Sequence, residues 1–187
     1  MSAIDLCSRA LLKLGAATIA SFDEGTAESE VGANLYPSVR DALLSSYPWK
    51  FATGQIGLPR LAAQPVADYT MAYQLPADFL RAMSAGNAGQ GYGLSYRIAE
   101  NRLHCDADEV TLTYIFRPDE SSFPPFFDQV LIARLAAEFC IPLTESTSRA
   151  EFLYRLAEDE YRRAKLVDAQ QDVPSAISSF PLVEVRS

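Results

Sequence analysis

Residues 35–52, with the helical stripe leading into them, constrain this chain more than any other stretch. Val31, Leu35, Val39 and Leu43 recur every four residues, with Ala42 beside them, so they line one face of a helix. Pro37 falls inside that pattern. It lacks an N–H and clashes with the carbonyl four residues back, so it should kink the helix or mark where it restarts. Pro48 disfavours the α conformation at Tyr47, which predicts a helix end near Ser46. Trp49 is the only tryptophan. It points the same way as Phe51 if the chain there is extended. Tyr47, Pro48, Trp49 and Phe51 are therefore expected to anchor the fold where a helical half meets a β half. Trp49 reads as a core residue, with contact to a neighbouring subunit as the alternative.

The chain of 187 residues can bury one good core, and a single domain is expected. Its apolar share of 49% suits a globular protein. No run of 18 apolar residues occurs, so no membrane span is expected. Asp5 and a short helical pattern at the N-terminus do not read as a signal peptide. A net charge of −8 argues against a reader of nucleic-acid sequence, which would show a basic patch. It is compatible with a protein that surrounds DNA without gripping it. Cys7, Cys105 and Cys140 are isolated, and neither a Cys-x-x-Cys pair nor a histidine cluster is present. No metal and no cofactor is expected, and a reducing cytoplasm fits.

Ser2 can cap a first helix carrying Ile4, Cys7, Leu11 and Leu14, with Gly15 as its stop. Thr26 is a candidate cap for the second helix. From Lys50 to Pro118 glycines, prolines and short alternations predict a small antiparallel sheet or sandwich. Within it, Phe79, Leu80 and Met83 should form a satellite core. Gly86 to Gly93 reads as a flexible loop, because no helix or lysine follows to make a phosphate cradle. Leu94–Ile98 and Arg102–Cys105 should pair as a hairpin through Glu100-Asn101. Val110, Leu112, Tyr114 and Phe116 alternate on a strand whose other face carries Ile115, an apolar residue that needs a second layer or a partner.

Pro124 and Pro125 suit the first turn of a third helix, the most buried one, carrying Phe127, Leu131, Leu135 and Phe139 and closed by Pro142. Thr144 is expected to cap a fourth helix. Its outer face offers Glu151–Arg155, Glu158–Arg162 and Asp159–Arg163 at i,i+4 spacing. The division is then helical residues 1–48 and 122–170, a β insert at 49–121 and an extended tail at 171–187. The fold class expected is α+β: an antiparallel four-helix arrangement, an inserted small antiparallel sheet or sandwich, and that tail. Ile177, Phe180, Leu182, Val183 and Val185 make the tail apolar enough to dock on a portal or a subunit.

Catalytic candidates are weak. His104 and Cys105 are adjacent on a strand and point to opposite faces. Asp106, Asp108 and Glu109 share one turn. No catalytic residue is assigned.

Several motifs together carry a family resemblance. They are Tyr36-Pro37-x-x-Arg40-Asp41-x-Leu43-Leu44, closed by Tyr47-Pro48-Trp49-Lys50-Phe51-Ala52; Cys7-x-x-Ala10-Leu11-x-x-Leu14-Gly15; and Tyr73-x-Leu75-Pro76-x-Asp78. Pro124-Pro125-Phe126, Leu131-x-x-x-Leu135-Ala136 and Pro142-Leu143-Thr144 complete the series. In order and spacing, across residues 4–170, the chain resembles the head-to-tail adaptor (connector) proteins of tailed phages. These include the tail tubular protein A family and related adaptors of gene transfer agents. The resemblance implies a virion structural protein at the head–tail junction, assembled in the host bacterial cytoplasm. It implies a homo-oligomeric ring, usually of twelve, below a portal protein. The ring would meet a downstream tail protein and pass DNA without sequence-specific binding or membrane contact. The alternatives are a cell-wall hydrolase acting in infection and a transient assembly factor.

Overall fold

The computed structural model describes residues 1–171. Helix α1 spans Ala3–Leu14. Ser2 caps it through a reciprocal pair with Asp5, and Gly15 ends it in the left-handed region at φ 70°. Helix α2, Ala27–Ser46, is capped by Thr26 and runs unbroken through Pro37. Helix α3, Pro125–Thr144, and helix α4, Thr147–Ala169, complete the helical part. Between α2 and α3 lie β1 (Thr53–Gly57), β2 (Met71–Gln74), β3 (Phe79–Gly86), β4 (Arg97–Ala99), β5 (Arg102–Cys105) and β6 (Thr111–Phe116).

The strands form two antiparallel sheets of three, ordered β1-β6-β3 and β2-β5-β4. Glu100 and Asn101 turn the β4–β5 hairpin with φ of 53° and 58°, as a two-residue primed turn requires. Strand β6 is the central strand of its sheet. One face sends Leu112 and Tyr114 into an apolar cluster shared with Tyr73, Leu103 and Cys105 of the other sheet. The other face sends Ile115, fully buried, into the helical core. The second layer that Ile115 needs is thus the helices.

The α+β class stands, but the finer architecture is corrected. Helix α3 is a hub on which α1, α2 and α4 all pack, and α1 is only 12 residues long. The helices therefore cluster round a central one and are not four antiparallel members of one arrangement. Nor is the β part a single sheet or a self-contained sandwich set beside them. Its β1-β6-β3 sheet lies between the helices and the β2-β5-β4 sheet, serving both cores. The expected extended tail lies outside the described residues.

Local expectations are also revised. Helix α3 continues through Pro142 to Thr144. A proline in the last turn costs one internal bond, and Glu145 closes the helix by donating its N–H to the Ile141 carbonyl. Thr144 consequently belongs to α3, and Ser146 caps α4 by accepting from the Arg149 N–H. On α4, Glu151–Arg155 pairs as expected, whereas Arg162 and Arg163 choose Asp159 and Glu160 three residues back. Phe79, Leu80 and Met83 do not share a core: Phe79 joins the β cluster, Leu80 the helical one, and Met83 is exposed. The register shifts in β3 re-aim those side chains.

Candidate functional site

The segment after α2 binds the halves together. Tyr47 is extended, but Lys50–Ala52 make a 3₁₀ turn, not a strand start. Trp49 and Phe51 nonetheless reach the same aromatic cluster. Trp49 is fully buried, and its indole N–H donates to the Leu43 carbonyl at 3.1 Å. Its ring meets Phe127 edge-on at 5.3 Å and Tyr161 at 5.8 Å, with Tyr47 at 4.9 Å. Phe51 adds contacts to Phe127 at 4.9 Å and Phe123 at 6.0 Å. With its ring wholly in this core, Trp49 presents nothing to a neighbouring subunit.

Asp168 secures the turn from below. It is buried at the end of α4 and accepts the Lys50 backbone N–H with both oxygens, at 3.1 and 3.2 Å. Burial pushes its carboxyl above the ordinary value, partly offset by that N–H. Sequence reasoning does not single it out. The available signal is an acid continuing the inward-facing stripe Ala157, Tyr161, Ala164 of α4 at helical spacing.

A second tie joins α2 to the exit of β6. Arg40 binds Asp41 and Glu120, each at 2.9 Å, and Tyr36 donates to Glu120 at 3.0 Å. Arg117 grips Asp41 with two bonds, at 3.0 and 2.6 Å. Burial raises the Asp41 carboxyl, but the bonds from Arg117 and Arg40 outweigh it and leave it below the ordinary range. Glu120 is likewise lowered: burial opposes the shift, and its own backbone N–H, Arg40 and Tyr36 overcome it.

Beside these ties runs a half-open groove of about 460 Å³. Leu35, Val39 and Leu43 form one wall, Val130, Arg134 and Glu138 the floor, and Ala157, Glu158 and Tyr161 the other wall. Tyr161 and Ser46 hydrogen bond across it at 3.0 Å. The four-residue stripe on α2 does line one face, but lies only partly in the core. Only Leu43 is buried, while Leu35 and Val39 remain partly open and Tyr36 and Leu44 take the inner positions.

His104 and Cys105 are both buried, and β5, which carries them, is the middle strand of its sheet. The Nδ1 atom of His104 has no partner among the described residues. Burial raises the Cys105 thiol, and pushes that of Cys7 up to about 12. Asp106 accepts from Thr70, and Asp108 pairs with Arg60 at 3.4 Å. The glycine-rich loop folds onto the sheet, since Ser84 and Thr113 both donate to the Gly91 carbonyl. Any side chain at Gly86 would collide with the backbone of Gln90 and Tyr92. Among the described residues no group of three His, Cys, Asp or Glu side chains could hold a metal ion. Among them, too, no helix is long and apolar enough to cross a membrane. Ile177, Phe180, Leu182, Val183 and Val185 lie outside the described residues.

No protein-family model matches the chain, and no curated protein matches it.

Proposed function

We propose that this chain is a structural head-to-tail adaptor. It closes into a ring below a portal, joins a capsid to a tail and lines the channel through which DNA leaves. Its partners are further copies of itself, the portal protein and a downstream tail protein.

The observation that carries this reading is the position of the motif residues behind the resemblance. Tyr36, Arg40 and Asp41 are the α2 members of the tie to Glu120 and Arg117. Tyr47, Trp49 and Phe51 form the aromatic cluster next to it. The shared pattern therefore falls on the clamp that fixes the helical part to the β part, and not on a pocket with chemistry. A stiff two-part subunit suits a ring, because each heterologous contact must repeat at one angle for the ring to close. The net charge of −8 suits a channel wall that does not hold phosphate. Exposed apolar side chains on α4, Phe152 and Leu166, supply contact area for a neighbour.

Counting copies in purified particles tests the proposal. An adaptor is present in every particle at one fixed number per portal. A transient assembly factor is absent, and that result would overturn the reading. A hydrolase would instead turn over peptidoglycan, and would lose that activity when Asp106, Asp108 and Glu109 are changed to alanine.

A further inference from the structure

The groove over α3 has an apolar wall that is only partly covered by the described residues: Leu43 is buried, and Leu35 and Val39 stay partly open. Leu35, Val39 and Leu43 stand at four-residue spacing along it, the arrangement by which a helix normally meets a packed neighbour. Helix α4 stops the groove on the far side at Ala157 and Tyr161. At about 460 Å³ the groove can take several side chains, since a water occupies only about 30 Å³.

The chain itself carries a segment of matching chemistry. Residues 172–187 follow directly from α4 and contain Ile177, Phe180, Leu182, Val183 and Val185. Pro174 disfavours helix at Val173, so the sequence does not favour prolonging α4. The reach is sufficient. From Gln171 back to Tyr161 is about 15 Å along the helix, and to Ala157 about 21 Å. An extended chain from Gln171 spans about 30 Å by Phe180. Arg134 and Glu138, paired at 3.0 Å at the groove floor, offer both signs of charge to Glu184 and Arg186.

We infer that residues 172–187 fold back along α4 and seat their apolar side chains in the groove of their own subunit. Attachment on the same chain favours this site over an equal one on another copy, because tethering supplies an effective concentration in the millimolar range. The cover would shield the α2 stripe in the free subunit. Any use of the same side chains on a partner then requires the tail to leave the groove.

The test uses the full chain. Ser179→Cys gives one accessible thiol for a nitroxide label, since Cys7, Cys105 and Cys140 are buried. Amide signals are then read by NMR. The expected result is that the amides of Leu35, Val39, Ala42 and Tyr161 lose at least half their intensity while those of Ile98 and Leu103 keep theirs. The loss should persist on tenfold dilution with unlabelled protein. Adding Phe180→Asp to the labelled chain should restore the signals. Unchanged groove signals would overturn the inference, as would broadening that survives Phe180→Asp. So would broadening seen only when isotope-labelled protein is mixed with separately spin-labelled protein, which would assign the groove to the tail of a second copy.

Discussion

Around Trp49 the core is drawn from both ends of the described chain, whereas around Leu103 it is assembled from strands that all lie between α2 and α3. Lys50 and Asp168, which fix the first region, are 118 positions apart. In the second, β4 and β5 join through two residues, and β5 pairs directly with β2. The helical core gains rigidity from side chains: a set of edge-on aromatic rings with charged ties at its border. The β core gains it from backbone ladders with one apolar cluster beneath. Strand β6 belongs to both, with Ile115 on one side and Leu112 on the other. A shared strand makes separate melting of the two cores costly.

The strongest way to break the comparison is to empty each core in turn. Trp49→Ala should cost about 3–5 kcal/mol and Leu103→Ala about 2–5 kcal/mol in chemical denaturation. Both variants should show one transition by every probe, because β6 couples the cores. Two separated transitions in either variant would make the cores independent.

Gly86→Ala addresses the β side alone. Its side chain would strike backbone atoms of Gln90 and Tyr92. Overpacking of this kind costs about 1–3 kcal/mol. Amide exchange should speed up in residues 86–94 and stay unchanged in α3.

Proton linkage sharpens the helical side. Asp168 and Asp128 have carboxyls raised by burial above 3.8. The folded state thus holds their protons longer than the unfolded chain does. Their contribution is most favourable below pH 3.8 and is lost as pH rises through the raised folded values. Asp168→Asn should flatten that decline, read as a smaller fall in unfolding free energy between about pH 3 and about pH 6. Asp41 has the opposite sign. Its lowered carboxyl contributes stability above pH 3.8 that disappears as pH falls through the folded value.

The smallest effect belongs to Arg117→Ala. Its side chain is 40% exposed, so the loss should be under about 1 kcal/mol. Trp49 emission should stay unchanged if the aromatic cluster, and not the ion pair, sets the local structure.

What can be read in advance follows the same division between local and distant contacts. Ser2, Gly15, Thr26 and the Glu100-Asn101 turn act within a few residues of themselves, and sequence alone assigns them. Proline misleads where a helix tolerates it. Pro142 reads as a terminator but sits in the last turn of α3, so the α4 cap is Ser146 and not Thr144. The ties of Asp41 to Arg117 and of Arg40 to Glu120 cross 76 and 80 positions. No spacing rule reaches that far. The α2 stripe is apolar as its periodicity indicates, yet periodicity gives a face and not its cover. For that reason the groove emerges only when α2, α3 and α4 are placed together.

The role proposed for this subunit is to build a ring on a portal. Its most direct test is the native mass of the protein, alone and after mixing with portal rings from the same particle. An adaptor should give a complex with a fixed number of copies per portal, usually twelve by the family resemblance. A stable monomer in both samples would contradict it.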